Sequence, residues 1–356
     1  MKIRIPQAID VVRKTFKANL VPFLHGSPGI GKSAIMKKIA HDYKLKLIDL
    51  RLAQMEPTDL AGFPQIDAAR QKAGYVPMDT YPLQGEQIPA GYNGWLLFFD
   101  EANSCPKAVQ AASYKIVLDR MIGQHALHER CFMAMAGNLE TDGAIVEPMS
   151  TALQSRVIHY ELANPSEDVK PWLDWASDVT LDHRITAYIN YKPGNLYAFK
   201  ADHTDFTYAC NRTWEFANKL LQTCEPNDWV GVKDSKGQTI AEPNALVMLA
   251  GAVSEGVARE FVTFTKVFDK LPSTQQIALN PEGTPVPDEI DVLWALTGSL
   301  AHHATAENIE HLLKYIKRMP VEFQVVCLRD AKRRKPVLTK TPAFQQWVMG
   351  SAMDLF

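Results

Sequence analysis

The nine residues His25 to Ser33, reading H-G-S-P-G-I-G-K-S, constrain this chain more than any other stretch. They follow an apolar run, Leu20 to Leu24, and precede Ala34 to Ala40, which reads as the start of a helix. Gly26, Gly31, Lys32 and Ser33 satisfy the G-x-x-x-x-G-K-[ST] spacing of a phosphate-binding loop. Phosphate oxygens crowd a backbone, so such a loop needs glycines, which lack a Cβ and accept positive φ. Its successive N–H groups then converge at the positive end of the following helix. The cradle comprises Gly26, Ser27, Pro28, Gly29, Ile30, Gly31, Lys32, Ser33 and Ala34. Lys32 is placed to reach the β- and γ-phosphates, and Ser33 to hold Mg²⁺ through its hydroxyl. A ligand-free Gly-rich turn is the bland alternative, and a complete motif between strand and helix leaves it little room. The stretch implies binding of a nucleoside triphosphate.

At 356 residues the chain has length for two domains with separate cores. A hydrophobic fraction of 46% with 22% charged residues is that of a soluble globular protein. The formal net charge of −2 gives no global basic field, so nucleic acid is not indicated, though a local basic pore would still fit. Cys105, Cys131, Cys210, Cys224 and Cys327 form no C-x-x-C pair and read as buried thiols in a reducing compartment. The sequence offers no membrane segment of eighteen apolar residues, and Met1 to Asp10 lacks a signal-peptide core. A cytoplasmic location is expected.

Apolar residues at Ile5, Ala8, Ile9, Val12 and Phe16 predict a helix over Ile3 to Asn19. Strands are expected at Leu20 to His25, Leu45 to Leu50, Trp95 to Phe99, Cys131 to Ala136 and Val157 to Leu162. Helices are expected between them at Lys32 to Tyr43, Pro106 to Arg120 and Glu147 to Ser155. The Pro- and Gly-rich stretch Ala53 to Gly94 reads as an insertion carrying a hairpin or short helices. Five apolar strands alternating with helices predict a doubly wound parallel α/β core over residues 1–164. After Asn164-Pro165 the alternation stops, and residues 165–356 read as a mainly helical lid and C-terminal region. Trp172, Trp175 and Trp214 read as core, and Lys332 to Lys335 as a solvated basic surface.

Chemistry is expected at the strand ends. Asp100 follows four apolar residues beside the phosphate loop, where a carboxylate would complete the Mg²⁺ shell. Glu101 is placed to orient or deprotonate the attacking water. Asn138, after Gly137, can hydrogen-bond the γ-phosphate and that water, although an Asn in a turn is a serious local rival. Arg156, between a short helix and the last strand, is expected at the domain's edge, within reach of a neighbour's γ-phosphate. Arg212, opening T-W-E-F-A-N-K-L-L, is expected to fold over the nucleotide in cis. His125 with His128, and His302 with His303, lack metal-ligand spacing and read as structural.

G-S-P-G-I-G-K-S, L-L-F-F-D-E-A-N, A-G-N-L-E-T-D-G-A, A-L-Q-S-R-V and N-R-T-W-E-F together resemble the AAA+ ATPases of the MoxR group. E-P-T-D-L-A-G-F-P resembles that group's helix-2 insertion, and the likeness continues through A-G-A-V-S-E-G-V-A-R-E-F and R-M-P-V-E-F-Q. The resemblance implies Lys32 and Ser33 as Walker A, with Asp100 and Glu101 as Walker B. It implies Asn138 as sensor 1, Arg156 as the trans arginine finger and Arg212 as sensor 2. Asn211 stands where many relatives have Pro, which leaves the start of that helix open. Arg120 is a second candidate for a trans arginine. Members of the group hydrolyse ATP with Mg²⁺, usually as hexameric rings with chaperone-like remodelling activity. Many work with a protein bearing a von Willebrand factor A domain, which makes such a protein a candidate partner. The rival expectations are an AAA+ motor or loader acting on nucleic acid, and a nucleotide-gated scaffold with little turnover.

Overall fold

The computed structural model describes residues 1–69, 71–143, 147–149 and 151–351. The chain divides into two units, residues 1–164 with 200–202, and residues 165–199 with 203–356.

In the first unit the apolar runs become parallel strands. These are β1 (Lys2–Ile3), β2 (Pro22–His25), β3 (Leu45–Arg51), β6 (Gly94–Asp100), β9 (Cys131–Gly137) and β10 (Ile158–Leu162). They form one sheet in the order β1-β10-β2-β9-β6-β3. The five-stranded expectation is therefore one short. Lys2 and Ile3 precede the first helix and pair with Glu161 and Leu162 at the sheet edge. Two residues carry no readable alternation, so β1 has no signal of its own in the sequence.

Trp95, Leu97 and Phe99 of β6 face a core shared with Phe23, Val109 and Ile116. Leu96 and Phe98, also buried, point by alternation to the opposite face, which α2 (Lys32–Asp42) crosses. Helix α1 (Ile5–Lys17) packs with α2, and α4 (Lys107–Asp119) supplies Val109, Ile116 and Val117 to the other face. Pro106 caps α4 rather than opening it.

The insertion forms α3 (Pro57–Ala61) and the antiparallel hairpin of β4 (Phe63–Asp67) with β5 (Lys72–Val76). A second hairpin, β7 (Met121–Ile122) with β8 (His125–Ala126), occupies the stretch expected as a plain turn. It rests on the first: the His125 ring lies 3.2 Å from the Tyr75 carbonyl. The short helix expected over Glu147 to Ser155 is present only as α5 (Thr151–Gln154): residues 147–149 are not helical, and residue 150 lies outside the described residues. Residue 144, closing the A-G-N-L-E-T-D-G-A stretch, lies outside them too.

Among the described residues, the second unit is mainly helical, with one small hairpin of β11 (Val232–Lys233) and β12 (Thr239–Ala241). Its helices are α6 (Lys170–Asp178), α7 (His183–Tyr191), α8 (Asn211–Leu221), α9 (Asn244–Val253), α10 (Glu255–Phe268), α11 (Thr274–Leu279), α12 (Ile290–His303), α13 (Ile309–Ile316), α14 (Val321–Arg334) and α15 (Pro342–Ser351). One core gathers Tyr188, Trp214 and Phe261, and a second gathers Leu312, Tyr315 and Trp347. Helix α12 serves both, giving Ala295 to the first and Leu296 to the second. Trp172 and Trp214 are core as expected, whereas Trp175 is 37% exposed. Three positions along from Trp172, it falls on the outer edge of the buried stripe.

Of the basic run Lys332 to Lys335, expected as a solvated surface, only Lys332 is exposed; Arg333, Arg334 and Lys335 are held by partners. Arg333 pairs with Asp174. Arg334 bonds Asp330 at 3.1 Å and Thr186 at 2.6 Å. Lys335 donates to the His302 and Ala304 carbonyls at the end of α12. A helix C-terminus attracts cations, and here it holds one. The five cysteines are free thiols, four of them buried.

Candidate functional site

The phosphate loop leaves the C-terminal end of β2 and runs into the N-terminus of α2. Gly31 takes φ 111°, a conformation that a side chain would strain, just before Lys32 opens the helix. Lys32 is only 8% exposed. Its ammonium donates to the Gly26 carbonyl, to the Ser27 carbonyl at 3.2 Å and to Asn138 Oδ1 at 2.9 Å. A buried cation needs such oxygens, and each is one that a phosphate oxygen can replace.

Ser33 and Asp100 meet across the site, with Oγ donating to Oδ2 at 2.6 Å. Two hard oxygen donors at this spacing suit Mg²⁺, which takes one or two protein oxygens and keeps water and phosphate for the rest. The donor set fits the ion the loop motif implies.

β6 does not simply run out at Asp100. Glu101 takes φ 56°, left-handed for a residue with a full side chain, and its N–H bonds the Asp100 carboxylate at 2.9 Å. Strain of this kind persists only where the surroundings hold it, and functional sites are where it collects. The turn is fixed on its far side, because Ala102 N–H donates to the Ala136 carbonyl at 2.9 Å.

Asn138 follows β9 and lies between Lys32 and Asn103. Asn103, 5% exposed, donates to the Asn138 carbonyl at 2.8 Å and accepts from its N–H at 3.0 Å. Asp142, on the turn after Asn138, accepts from Ser27 Oγ at 3.0 Å and from Leu139 N–H at 3.2 Å. The phosphate loop and the turn after β9 are thus joined at two points.

A cavity of about 450 Å³ adjoins these groups, lined by His25, Asn103, Asn138, Glu140, Gln154 and His159. His159 Nε2 faces the Gln154 carbonyl at 2.9 Å, and its Nδ1 faces His25 Nε2 at 2.8 Å. A carbonyl only accepts, so His159 Nε2–H donates to it, and His159 Nδ1 accepts a hydrogen bond from His25 Nε2–H. Burial, with His159 and Lys32 beside it, lowers the His25 pKa to about 4.

Asp100, Asn138, Lys32 and Ser33 therefore come together, with Glu101 next to Asp100. Arg156 does not join them. It is exposed two residues before β10 begins, at the strand's N-terminal end. Arg212 is exposed on the first turn of α8 in the second unit. That helix begins at Asn211, and Cys210 N–H bonds Thr213 Oγ1 at 2.8 Å in place of a proline start. Arg120 ends α4 at φ 55° with its guanidinium on the Cys131 carbonyl and Asn19 Oδ1. Both contacts are made within its own subunit. Reading along the sequence missed Asn103, Asp142 and the His25–His159 pair. Asn103 lies inside the D-E-A-N motif, but its partner is 35 positions away.

Residues 22–157 match the AAA domain of the dynein-related subfamily. No curated protein matches the chain. Among solved structures, a protein from Cytophaga hutchinsonii assigned as an ATPase is 14% identical, over 95% of this chain and 81% of that one, with a TM-score of 0.34. A RuvB point mutant from Thermotoga maritima is 16% identical, over 83% of this chain and 80% of that one, with a TM-score of 0.33. The AAA domain over residues 22–157 supports ATPase activity for this chain. Among the described residues, no helix is long and apolar enough to cross a membrane.

Proposed function

We propose that this chain is a Mg²⁺-dependent, ring-forming ATPase of the MoxR group that uses hydrolysis to remodel a protein partner. The observation that carries the reading is that, among the described residues of the first unit, the groups for phosphate and Mg²⁺ converge without Arg156. Lys32, Ser33, Asp100 and Asn138 converge, while the arginine that would neutralise a transferring phosphoryl group stands elsewhere. Roughly 13 Å of strand rise separates Pro22, level with Ile158, from the phosphate loop. Arg156 precedes even that level, so it is better placed to serve a neighbouring subunit than its own.

When bound, Mg²⁺ would neutralise charge on the nucleotide's phosphates. Ser33 and Asp100 would hold it. Lys32 binds phosphate oxygen, Glu101 takes the proton of the attacking water, and Asn138 orients that water. Arg156 of the next subunit and Arg212 from the helical unit stabilise the developing charge. The first hairpin offers a surface for such a partner. Phe63, Ile66, Tyr75 and Val76 of the first hairpin are 46–79% exposed, and solvated apolar side chains of that density suit protein contact.

The test is Glu101→Gln, sized with and without ATP and then used as bait. A ring that forms with ATP and retains a protein supports the reading, and a von Willebrand factor A-domain protein would identify the partner class. A monomer in ATP, or a ring that retains nucleic acid instead, would contradict it.

A further inference from the structure

The residue two places after Glu101 plays no part in the scheme above, yet it is buried and its side chain is fully bonded. Asn103 is 5% exposed, and both ends of its carboxamide are used on one residue. Nδ2 donates to the Asn138 carbonyl at 2.8 Å, and Oδ1 accepts the Asn138 N–H at 3.0 Å. Only one orientation of the amide satisfies both contacts, since its oxygen must face the N–H and its nitrogen the carbonyl. Asn103 therefore does for Asn138 what a neighbouring strand would do, just where β9 ends.

The surroundings are built to allow it. Asn103's own carbonyl accepts from Glu147 N–H at 2.8 Å, and the preceding Ala102 N–H bonds the Ala136 carbonyl at 2.9 Å. A Cβ on Gly137 would lie 2.3 Å from Asn103 Oδ1, so only glycine lets the amide come this close. With its backbone held from one side, Asn138 presents its side chain to Lys32 Nζ at 2.9 Å on the other.

We propose that Asn103 is a positioning residue for ATP hydrolysis. It fixes the backbone of Asn138 and so ties the reach of that amide to the turn carrying Asp100 and Glu101. The inference rests on the role given to Asn138 under the proposed function. It says that water orientation and the hydrolytic carboxylate are set by one rigid unit. ATP binding, which uses the phosphate loop, is a separate matter.

The experiment is a double-mutant cycle in the full chain with Asn103→Leu and Asn138→Ala, read as kcat, KM for ATP and Tm. Leu keeps the approximate shape of Asn and loses both bonds. Asn103→Leu is expected to lower kcat on the order of tenfold or more, with KM changed less than about threefold. The double variant should be no slower than the slower single variant, as for residues acting as one unit. Gly137→Ala, which displaces the same amide from the other side, should reproduce the kcat loss. Where Asn103→Leu does not fold, Asn103→Asp takes its place, because a carboxylate keeps the acceptor but opposes the Asn138 carbonyl. A wild-type kcat in the Asn103 variants beside a collapsed Asn138→Ala would overturn this inference alone. So would losses that multiply in the double variant, or a rise in KM that matches the fall in kcat/KM. Wild-type turnover by Asn138→Ala would remove the role of Asn138, and the inference with it.

Discussion

Lys32 shows how the site is balanced before nucleotide arrives. Its ammonium is buried, and it bridges two loop carbonyls and the Asn138 amide. Phosphate oxygens substitute for these partners without exposing the charge to water. Charge-assisted hydrogen bonds are worth about 1.5–3 kcal/mol each, so Lys32→Ala is expected to weaken ATP binding by roughly a hundredfold. Titration of the variant with a fluorescent ATP analogue reads this directly, and affinity within twofold of wild type would contradict it. The phosphate-loop residues and Asp100-Glu101 were legible in the sequence because their chemistry is written in adjacent letters. Asn103 and Asp142 were not, since each acquires meaning only from a residue that folding brings beside it. The contacts of Arg120 were hidden for the same reason. An arginine at a helix end looks available until the Cys131 carbonyl and Asn19 are seen to hold it.

At the scale of elements, the expected runs of five or six residues announced five strands of the sheet to within two residues at either end. The failures lie where an element is short or its partner distant. β1 is two residues long, and the hairpin at Met121 to Ala126 is held partly by the neighbouring hairpin. The C-terminal run of α14 is the clearest case. Composition suggested a solvated face, yet Arg334 and Asp330 have side chains only 8% and 7% exposed. The guanidinium also reaches the Leu181 carbonyl at 3.3 Å and Thr186 at 2.6 Å, pinning α14 to α7. Removing one partner of a buried ion pair leaves the other uncompensated, at about 3–5 kcal/mol. Arg334→Leu should therefore lower the unfolding free energy of the second unit by that order. Arg333→Ala, whose partner Asp174 is half exposed, should change it by under about 1 kcal/mol. Equal effects from the two in denaturant unfolding would contradict the assignment.

Across the whole molecule, each unit holds a histidine that folding keeps neutral. Burial lowers the pKa of His25 to about 4, and burial likewise lowers that of His183, stacked on His302, to about 3. An unfolded histidine takes its proton near pH 6.5, before either folded one does. The unfolded state therefore binds more protons as pH falls, and stability declines from pH 6.5 toward those values, by at most about 1.4 kcal/mol per pH unit for each group. The denaturation midpoint should fall between pH 7 and pH 5, and His183→Phe, which keeps the ring stack, should flatten that fall for the second unit. A midpoint independent of pH, or a variant as steep as wild type, would contradict it.

The central claim is that a working site is shared by two subunits, with Glu101 from one and Arg156 from the next. Glu101→Gln and Arg156→Ala are each expected to abolish hydrolysis while retaining ATP. Mixing the two inactive proteins measures the claim directly. By random assembly, roughly one interface in four pairs an intact Glu101 with an intact Arg156 across a head-to-tail contact. ATPase activity should therefore reappear on mixing, to a sizeable fraction of the wild-type rate. A mixture as inactive as its components, or an Arg156→Ala protein that turns over normally by itself, would contradict the shared site.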